Sequence, residues 1–304
     1  HFENILNEIG NSLGQLIILN PKSVSASFGS LLNLNHHFAE FLRSMLYIWR
    51  LGKIAEVIEN YVNVVTLSLN AKGFDNKRFV NVPYIMRFDF LNVLKDFDYL
   101  YEKDCIDAEF KFEATSELPD IMMTHHFFHG FLIRQYMKLI LKDFQKADDN
   151  KTDANTLRSI IVRMALLSIG SIVEKYDTMK LYADKKTALA NLLFPLISYA
   201  IEECSRFQTL TSAPLSLLER DQAKWSDDDY KELFTWKVFY TSLLWVLKNA
   251  DRSTFISYFT KEVSTRLCDL LFHLTTAIHF ISKFGPTLKN VNIEYDEARM
   301  QLID

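Results

Sequence analysis

Residues Ser242-Leu-Leu-Trp-Val-Leu-Lys-Asn-Ala-Asp251 join a run of large apolar side chains to a polar turn. Such a run at helical spacing predicts a buried helix, and the Lys-Asn-Ala-Asp sequence marks where it ends. Asp251 is a favoured residue type for an N-cap, so a second amphipathic helix is predicted to begin at Arg252. A helix, a short polar turn and another helix in direct succession indicate an α-helical fold.

Apolar residues at three- and four-residue intervals recur along almost the whole chain. Leu42, Met45, Leu46 and Trp49 form one such stripe. Glycine (8) and proline (6) are scarce among the 304 residues, and the alternating pattern of β-strands is nearly absent. We therefore predict an all-α fold, built as an α-solenoid of armadillo- or HEAT-like helix pairs. Without a clear repeat period in the sequence, these repeats would be degenerate.

The spacing of apolar residues and helix-end signals predicts about ten helices, with a further short one near the end of the chain. They are placed at residues 2–19, 28–50, 52–70, 83–101, 120–146, 153–177, 183–208, 229–249, 252–260 and 262–283, and then 293–303.

Composition also predicts how these helices are grouped. Residues 208–229 contain Thr, Ser, Pro and several acids without periodicity, which indicates a flexible acidic loop. The predicted organisation is helical repeats over 1–207, this loop over 208–229, and continuing repeats over 230–304. Asp184 is predicted to open the helix that follows it, and Pro195 to kink an otherwise strong apolar helix.

Composition and charge exclude several classes of protein. Apolar residues make up 49% of the chain and aromatic residues 13%, which is enough for a packed core over most of its length. The formal net charge is -4, with basic residues scattered among acids. The sequence therefore predicts neither a nucleic-acid surface nor a polybasic membrane patch. The longest apolar run, 160–173, is too short to span a bilayer and contains Arg163, so no transmembrane segment is predicted.

Cysteine usage points to a reducing compartment. Cys105, Cys204 and Cys268 are widely spaced and odd in number, which provides neither a disulfide framework nor a CxxC metal site. Cytoplasmic localisation is therefore predicted. No signal peptide is recognisable, and the chain begins at His1, so we expect it to be part of a longer polypeptide.

Three histidines raise the question of a metal site. His125 and His129 stand at i and i+4, a spacing that can bind zinc on a helix. Metalloproteases of this pattern place a Glu after the first His as the general base, but here that residue is His126, and no third ligand is evident. A helical hydrolase is thus the disfavoured interpretation, and histidines flanking a buried Phe pair the favoured one.

Other chemistry is not indicated. The chain has no GxSxG elbow, no nucleotide-binding glycine loop and no cysteine in a nucleophile motif. The acids at 227–229 lack the spacing of a calcium loop and fit the start of a helix better. Trp236 belongs to an aromatic cluster and would be an interface anchor if it were exposed. The prediction is a helical scaffold without a catalytic site, cofactor or metal.

Three ordered blocks resemble the dedicator-of-cytokinesis (DOCK) family, and the zizimin-like branch in particular. They are His125-His-Phe-Phe-His-Gly-Phe-Leu-Ile-Arg134, Lys186-Thr-Ala-Leu-Ala-Asn-Leu-Leu-Phe-Pro-Leu-Ile197, and the segment Ser242 to Asp251 with Leu267-Cys-Asp-Leu-Leu271 beyond it. Weaker similarity extends back to Tyr84. The family-motif positions are His125, Phe128, Gly130, Leu132, Leu193, Pro195, Leu196, Leu244, Trp245, Leu247, Lys248, Asn249, Asp251, Asp269, Leu270 and Leu271.

The resemblance implies a function for the parent polypeptide. In this family an armadillo-like helical region precedes a C-terminal domain that releases nucleotide from Rho-family small GTPases and often forms a homodimer. By resemblance, this chain would position and regulate such a domain, bind regulatory proteins, and belong to a cytoplasmic protein that can be recruited to a membrane. A stand-alone HEAT-like adaptor without exchange activity is the alternative.

Overall fold

The computed structural model describes residues 2–19, 21–49, 51–68, 82–97, 128–141, 152–194, 196–197 and 226–261, together with 275, 279 and 282. Nearly all of these residues are helical, and none of them lies in a β-strand. The predicted all-α class is confirmed. The predicted helix at 293–303, the kink at Pro195 and the loop residues 208–225 lie outside the described residues.

Nine α-helices and one 3-10 turn make up the described part of the chain. They are α1 (Phe2–Leu19), α2 (Pro21–Leu46), α3 (Leu51–Ser68), α4 (Val82–Leu94), α5 (Phe128–Leu141), α6 (Thr152–Thr178), the 3-10 turn Lys180–Tyr182, α7 (Lys186–Leu193), α8 (Asp227–Asn249) and α9 (Arg252–Lys261).

The predicted boundaries of α2 and α4 were wrong. Helix α2 begins at Pro21 rather than at residue 28. A proline is tolerated in the first helical turn because the N–H that it lacks would have no partner there. Helix α4 ends at Leu94 rather than at 101, and a turn follows in which the Phe97 N–H donates to the Leu94 carbonyl at 3.2 Å.

The observed helix starts confirm the predicted start signals at α8 and α9 but not at α7. At α9 the Oδ1 atom of Asp251 accepts the Thr254 backbone N–H at 2.7 Å, which confirms Asp251 as the N-cap. At α8 the acids do lie in the first turn, and Ser226 and Asp229 form a reciprocal capping box. At α7 the prediction for Asp184 was wrong, because that helix begins at Lys186 without a side-chain cap.

The chain divides into two compact units. The first comprises residues 1–109, 123–139 and 146–161, and the second comprises 110–122, 140–145 and 162–304. In the first unit, α1 packs mainly on α3 and α2 mainly on α4. Packing between alternate helices is the relation that two-layered helical repeats show. A solenoid over the whole chain stays a prediction.

Close helix approach shapes both cores. In the first unit a Cβ atom on Gly14 of α1 would lie 2.1 Å from Val64 Cγ1 of α3. In the second unit a Cβ atom on Gly170 of α6 would lie 2.0 Å from Val238 Cγ1 of α8. Glycine is required at both positions because any side chain would collide with the facing valine.

Trp236 of α8 belongs to the core of the second unit. Its side chain is only 3% exposed, and its ring lies 5.8 Å from that of Tyr240. The condition that would have made Trp236 an interface anchor is therefore not met.

Candidate functional site

The junction between α8 and α9 is built around the carboxylate of Asp251. Its Oδ1 atom accepts the Thr254 backbone N–H and the Ser253 hydroxyl, each at 2.7 Å. Its Oδ2 atom accepts the Asn191 side-chain amide of α7 at 2.7 Å, and its backbone N–H donates to Asn191 Oδ1 at 3.0 Å. One aspartate thus starts α9 and ties the junction to a helix that lies 60 residues earlier in the sequence.

These hydrogen bonds lower the pKa of Asp251 and so keep it ionised well into the acidic range. The bond from the Thr254 backbone N–H is the main reason that the pKa of Asp251 falls to about 2. The Ser253 and Asn191 bonds lower it further, and partial burial opposes them. Asp251 is therefore ionised at neutral pH, and its bonds are of the stronger, charge-assisted kind.

A second carboxylate, Asp177 at the end of α6, binds side chains of α7 and α8. Its Oδ1 atom accepts the Trp245 indole N–H of α8 at 3.0 Å and the Lys186 ammonium of α7 at 2.7 Å. Lys186 also donates to the Asp177 backbone carbonyl at 2.9 Å. The hydrogen bond from Lys186, followed by that from Trp245, holds the pKa of Asp177 below its ordinary value.

The remaining residues of the Ser242–Asp251 segment close the end of α8. The Asn249 side-chain amide donates to the Trp245 carbonyl at 2.8 Å and so pairs one of the carbonyls near the helix end. Leu244 and Leu247 are half-buried, whereas Lys248 is exposed. We call Asp177, Lys186, Asn191, Trp245 and Asp251 the polar junction.

The polar junction brings two of the three sequence blocks together. Lys186 and Asn191 come from the second block, and Trp245 and Asp251 come from the third. From the second block, Leu193 and Leu196 are also buried. Pro195, Asp269, Leu270 and Leu271 lie outside the described residues.

The described part of the first block, residues 128–134, lies in the first unit at the start of α5. Phe128 is the first residue of that helix, and Gly130 and Leu132 are buried. His129 is also buried, and its Nε2 atom lies 3.0 Å from the Phe97 carbonyl oxygen. This contact gives the buried imidazole of His129 a hydrogen-bond partner within the protein, so its burial needs no metal ion. His125, the other half of the HxxxH pattern, lies outside the described residues.

Three members of the polar junction, Asp177, Lys186 and Asn191, were not among the predicted motif positions. Asp177 has no local signal, because nothing near it in sequence indicates a lysine and a tryptophan as partners. Asn191 does have one, since it is an amide between the buried apolar residues Ala190 and Leu192. A polar residue on a buried helix face usually has a hydrogen-bond partner.

A second polar cluster, also unforeseen, lies buried in the first unit. The Tyr61 hydroxyl of α3 donates to Asn35 Oδ1 of α2 at 2.7 Å, and Asn35 Nδ2 donates to Asp89 Oδ2 of α4 at 3.2 Å. Burial, and then the charge of Asp89, raises the pKa of the Tyr61 hydroxyl, so it acts as a neutral donor. Nearby, Arg87 Nη2 donates to Gln135 Oε1 of α5 at 3.2 Å. These bonds connect four helices, α2, α3, α4 and α5, to one another.

Neither cluster has the composition of a metal or catalytic centre. Within the described ranges, no three His, Cys, Asp or Glu side chains are grouped so that they could hold a metal ion. Among the same residues, no helix combines the length and the apolar character needed to cross a membrane. Both clusters connect helices, and that is the function their geometry supports.

Comparison with known proteins gave no match to a family model, a curated protein or a solved structure.

Proposed function

We propose that this chain is a helical-repeat scaffold of a DOCK-type exchange factor, which positions and regulates a domain that acts on Rho-family small GTPases. The observation that carries the proposal is the polar junction. Two blocks that resemble the family contact each other through Asp251, a motif residue of the third block, and Asn191, which lies 60 residues earlier in the second block. The proposal assigns the chain no catalytic step, cofactor or metal of its own.

The physical role of the junction is to fix the angle between successive helices. Asp251 is bonded both to the first turn of α9 and to α7, so α9 cannot rotate without breaking charge-assisted bonds. A helical repeat transmits position only if each helix pair is held rigidly on the next. A domain placed beyond such a scaffold would take its orientation from these contacts.

A nucleotide-release assay on a panel of Rho GTPases tests the proposal. The chain alone should release no nucleotide, and a longer polypeptide that includes the region downstream of Asp304 should release it. In that longer polypeptide, Asp251→Ala should change the rate, whereas Asp184→Ala, an exposed aspartate that caps no helix, should not. Absence of release by the longer polypeptide on every GTPase would reject the proposal.

The alternative is an adaptor that binds other proteins and has no connection to nucleotide exchange. The observation that favours it is the set of large apolar side chains left exposed in the first unit, among them Ile5, Ile48 and Trp49. Exposed apolar surface of this kind often marks a binding site. Release by the longer polypeptide distinguishes the two functions, because an adaptor would show none.

A further inference from the structure

His36 of α2 places each of its ring nitrogens beside a carboxylate. Its Nδ1 atom lies 3.4 Å from Asp89 Oδ2 of α4, and its Nε2 atom lies 3.8 Å from Glu40 Oε1, one turn further along α2. The first of these contacts crosses from one helix to another, and α2 packs mainly on α4. His36 therefore lies where the charge of its ring can act on a contact between two helices.

The Nδ1 atom of His36 is buried and has no hydrogen-bond partner among the described residues. Buried polar atoms usually have one. The side chain as a whole is 28% exposed, so protons from solvent can reach the ring. A neutral imidazole has a single N–H and can donate to one carboxylate at most, whereas the protonated ring donates from both nitrogens. Only the protonated ring therefore supplies a donor to both Asp89 and Glu40.

On the α4 side, His36 faces Asp89, which is largely buried. Asp89 Oδ2 also accepts the Asn35 side-chain amide of α2 at 3.2 Å. Burial, and then the charge of Asp89, raises the pKa of the nearby Tyr61 hydroxyl, so this carboxylate acts as a negative charge inside the unit. Arg87, the other charged residue of α4, donates to α5. A positive charge on His36 is favoured by Asp89, because solvent screens a buried carboxylate little.

On the α2 side, His36 faces Glu40, and His37 and Arg43 act on that same carboxylate. The His37 Nδ1 atom lies 3.0 Å from Glu40 Oε2, and this hydrogen bond is the main reason that the pKa of Glu40 lies below its ordinary value. The charge of Arg43 acts in the same direction. His37 is 73% exposed and shares one helix with Glu40, so their pairing is screened by solvent and does not join α2 to α4.

We propose that His36 is a pH-sensitive clamp between α2 and α4, which binds Asp89 when its ring is protonated and releases it when the ring is neutral. The stability that the charged ring adds should be present at about pH 5.5 and be lost as the pH rises to about 8. The first unit thus becomes more rigid in mild acid. The proposal is independent of the exchange-factor function, because it concerns the first unit and needs no GTPase.

The test measures hydrogen exchange in the 304-residue chain at about pH 8 and about pH 5.5, with each rate corrected for the intrinsic exchange rate at that pH. The protection of amides in α2 and α4 should rise on acidification. This rise should be about fivefold greater in the wild type than in His36→Gln, as expected when a neutral hydrogen bond becomes charge-assisted. Because the rise is compared within each variant, a general loss of stability does not produce the same result.

Two further variants make the result specific. His37→Gln removes the neighbouring, more exposed histidine and should keep the rise seen in the wild type. Asp89→Asn keeps the shape of the side chain but removes its charge, so it should abolish the part of the rise that depends on His36. Adding His36→Gln to the Asp89→Asn chain should then have no further effect on the rise.

Three results would overturn the proposal. The first is an equal rise in the wild type and in His36→Gln. The second is a rise that His37→Gln removes as fully as His36→Gln does, since this would assign the effect to the exposed pair within α2. The third is a rise that survives in Asp89→Asn, because the ring of His36 would then act through Glu40 without joining the two helices.

Discussion

Removing the Asp251 carboxylate tests whether the polar junction stabilises the start of α9. In Asp251→Ala, α9 loses its N-cap bond from the Thr254 N–H, and such a cap is worth about 1 kcal/mol. Asn191 also loses its bond to Asp251 Oδ2, which contributes about 1 kcal/mol. The first turn of α9 should therefore open more easily, by about 2 kcal/mol in total.

Hydrogen exchange is the suitable assay, because two compact units can unfold in more than one step. An opening free energy lower by about 2 kcal/mol speeds exchange of the Thr254 amide about 30-fold. Asp184→Ala is the matched control. This aspartate is exposed and caps no helix, so exchange around it should change less than about twofold.

A double-mutant cycle separates the two contributions. If Asn191 and Asp251 act on one another, Asn191→Ala should lower the opening free energy of the first turn of α9 much less in the Asp251→Ala background than in the wild type. The expected coupling energy is about 1 kcal/mol. Equal exchange at Thr254 in Asp251→Ala and Asp184→Ala would refute the reasoning on the cap. Fully additive effects would refute the pairing with Asn191.

Three further predictions concern packing, pH and the second carboxylate. Gly170→Ala should lower the free energy of unfolding of the second unit by about 1–3 kcal/mol in urea, because its Cβ would collide with Val238 Cγ1. Adding Val238→Ala to the same chain should restore much of this loss. The control Gly29→Ala places its Cβ in open space and should not lower stability. The folded-state pKa of Asp251 is lowered to about 2, so the stability that its carboxylate contributes is complete above the ordinary pKa of 3.8 and is lost as the pH falls towards 2. The difference in unfolding free energy between wild type and Asp251→Asn should therefore shrink over that interval. A constant difference would contradict the lowered pKa of Asp251. Trp245→Phe keeps an aromatic ring but removes the N–H that donates to Asp177, so it should lower the urea midpoint by the equivalent of about 1 kcal/mol. An unchanged midpoint would show that the indole N–H contributes no stability at this exposed carboxylate.

Much of the secondary structure was predictable, because it depends on short-range patterns. The start of α9 at Arg252 follows from Asp251, whose side chain reaches a backbone N–H three residues later. Helix α8 ends at Asn249, as its apolar run predicted, and α1 spans 2–19 as predicted. The start of α2 at Pro21 was missed because Lys22-Ser-Val-Ser-Ala-Ser27 gives a weak helix signal on its own.

The candidate site was predictable only in part. Trp245, Asn249 and Asp251 were identified as motif residues, and they do take part in the polar junction or the end of α8. Their partners could not be deduced, because Asn191 and Asp177 lie 60 and 68 residues away in sequence from the groups they bind. The resemblance to an exchange factor stays a prediction.

The sequence by itself determined that this protein is helical and where several helices begin, since helix periodicity and capping act over three or four residues. Only the tertiary structure decided that His129 bonds the Phe97 carbonyl, that Trp236 lies in a core, and that Ile5 and Ile9 of α1 face outward. A helix with apolar residues on more than one side can bury any of those sides, and the neighbouring helix that packs on it decides which side is buried. For α1 that neighbour is α3, whose Val64 leaves room for Gly14 but for no larger residue.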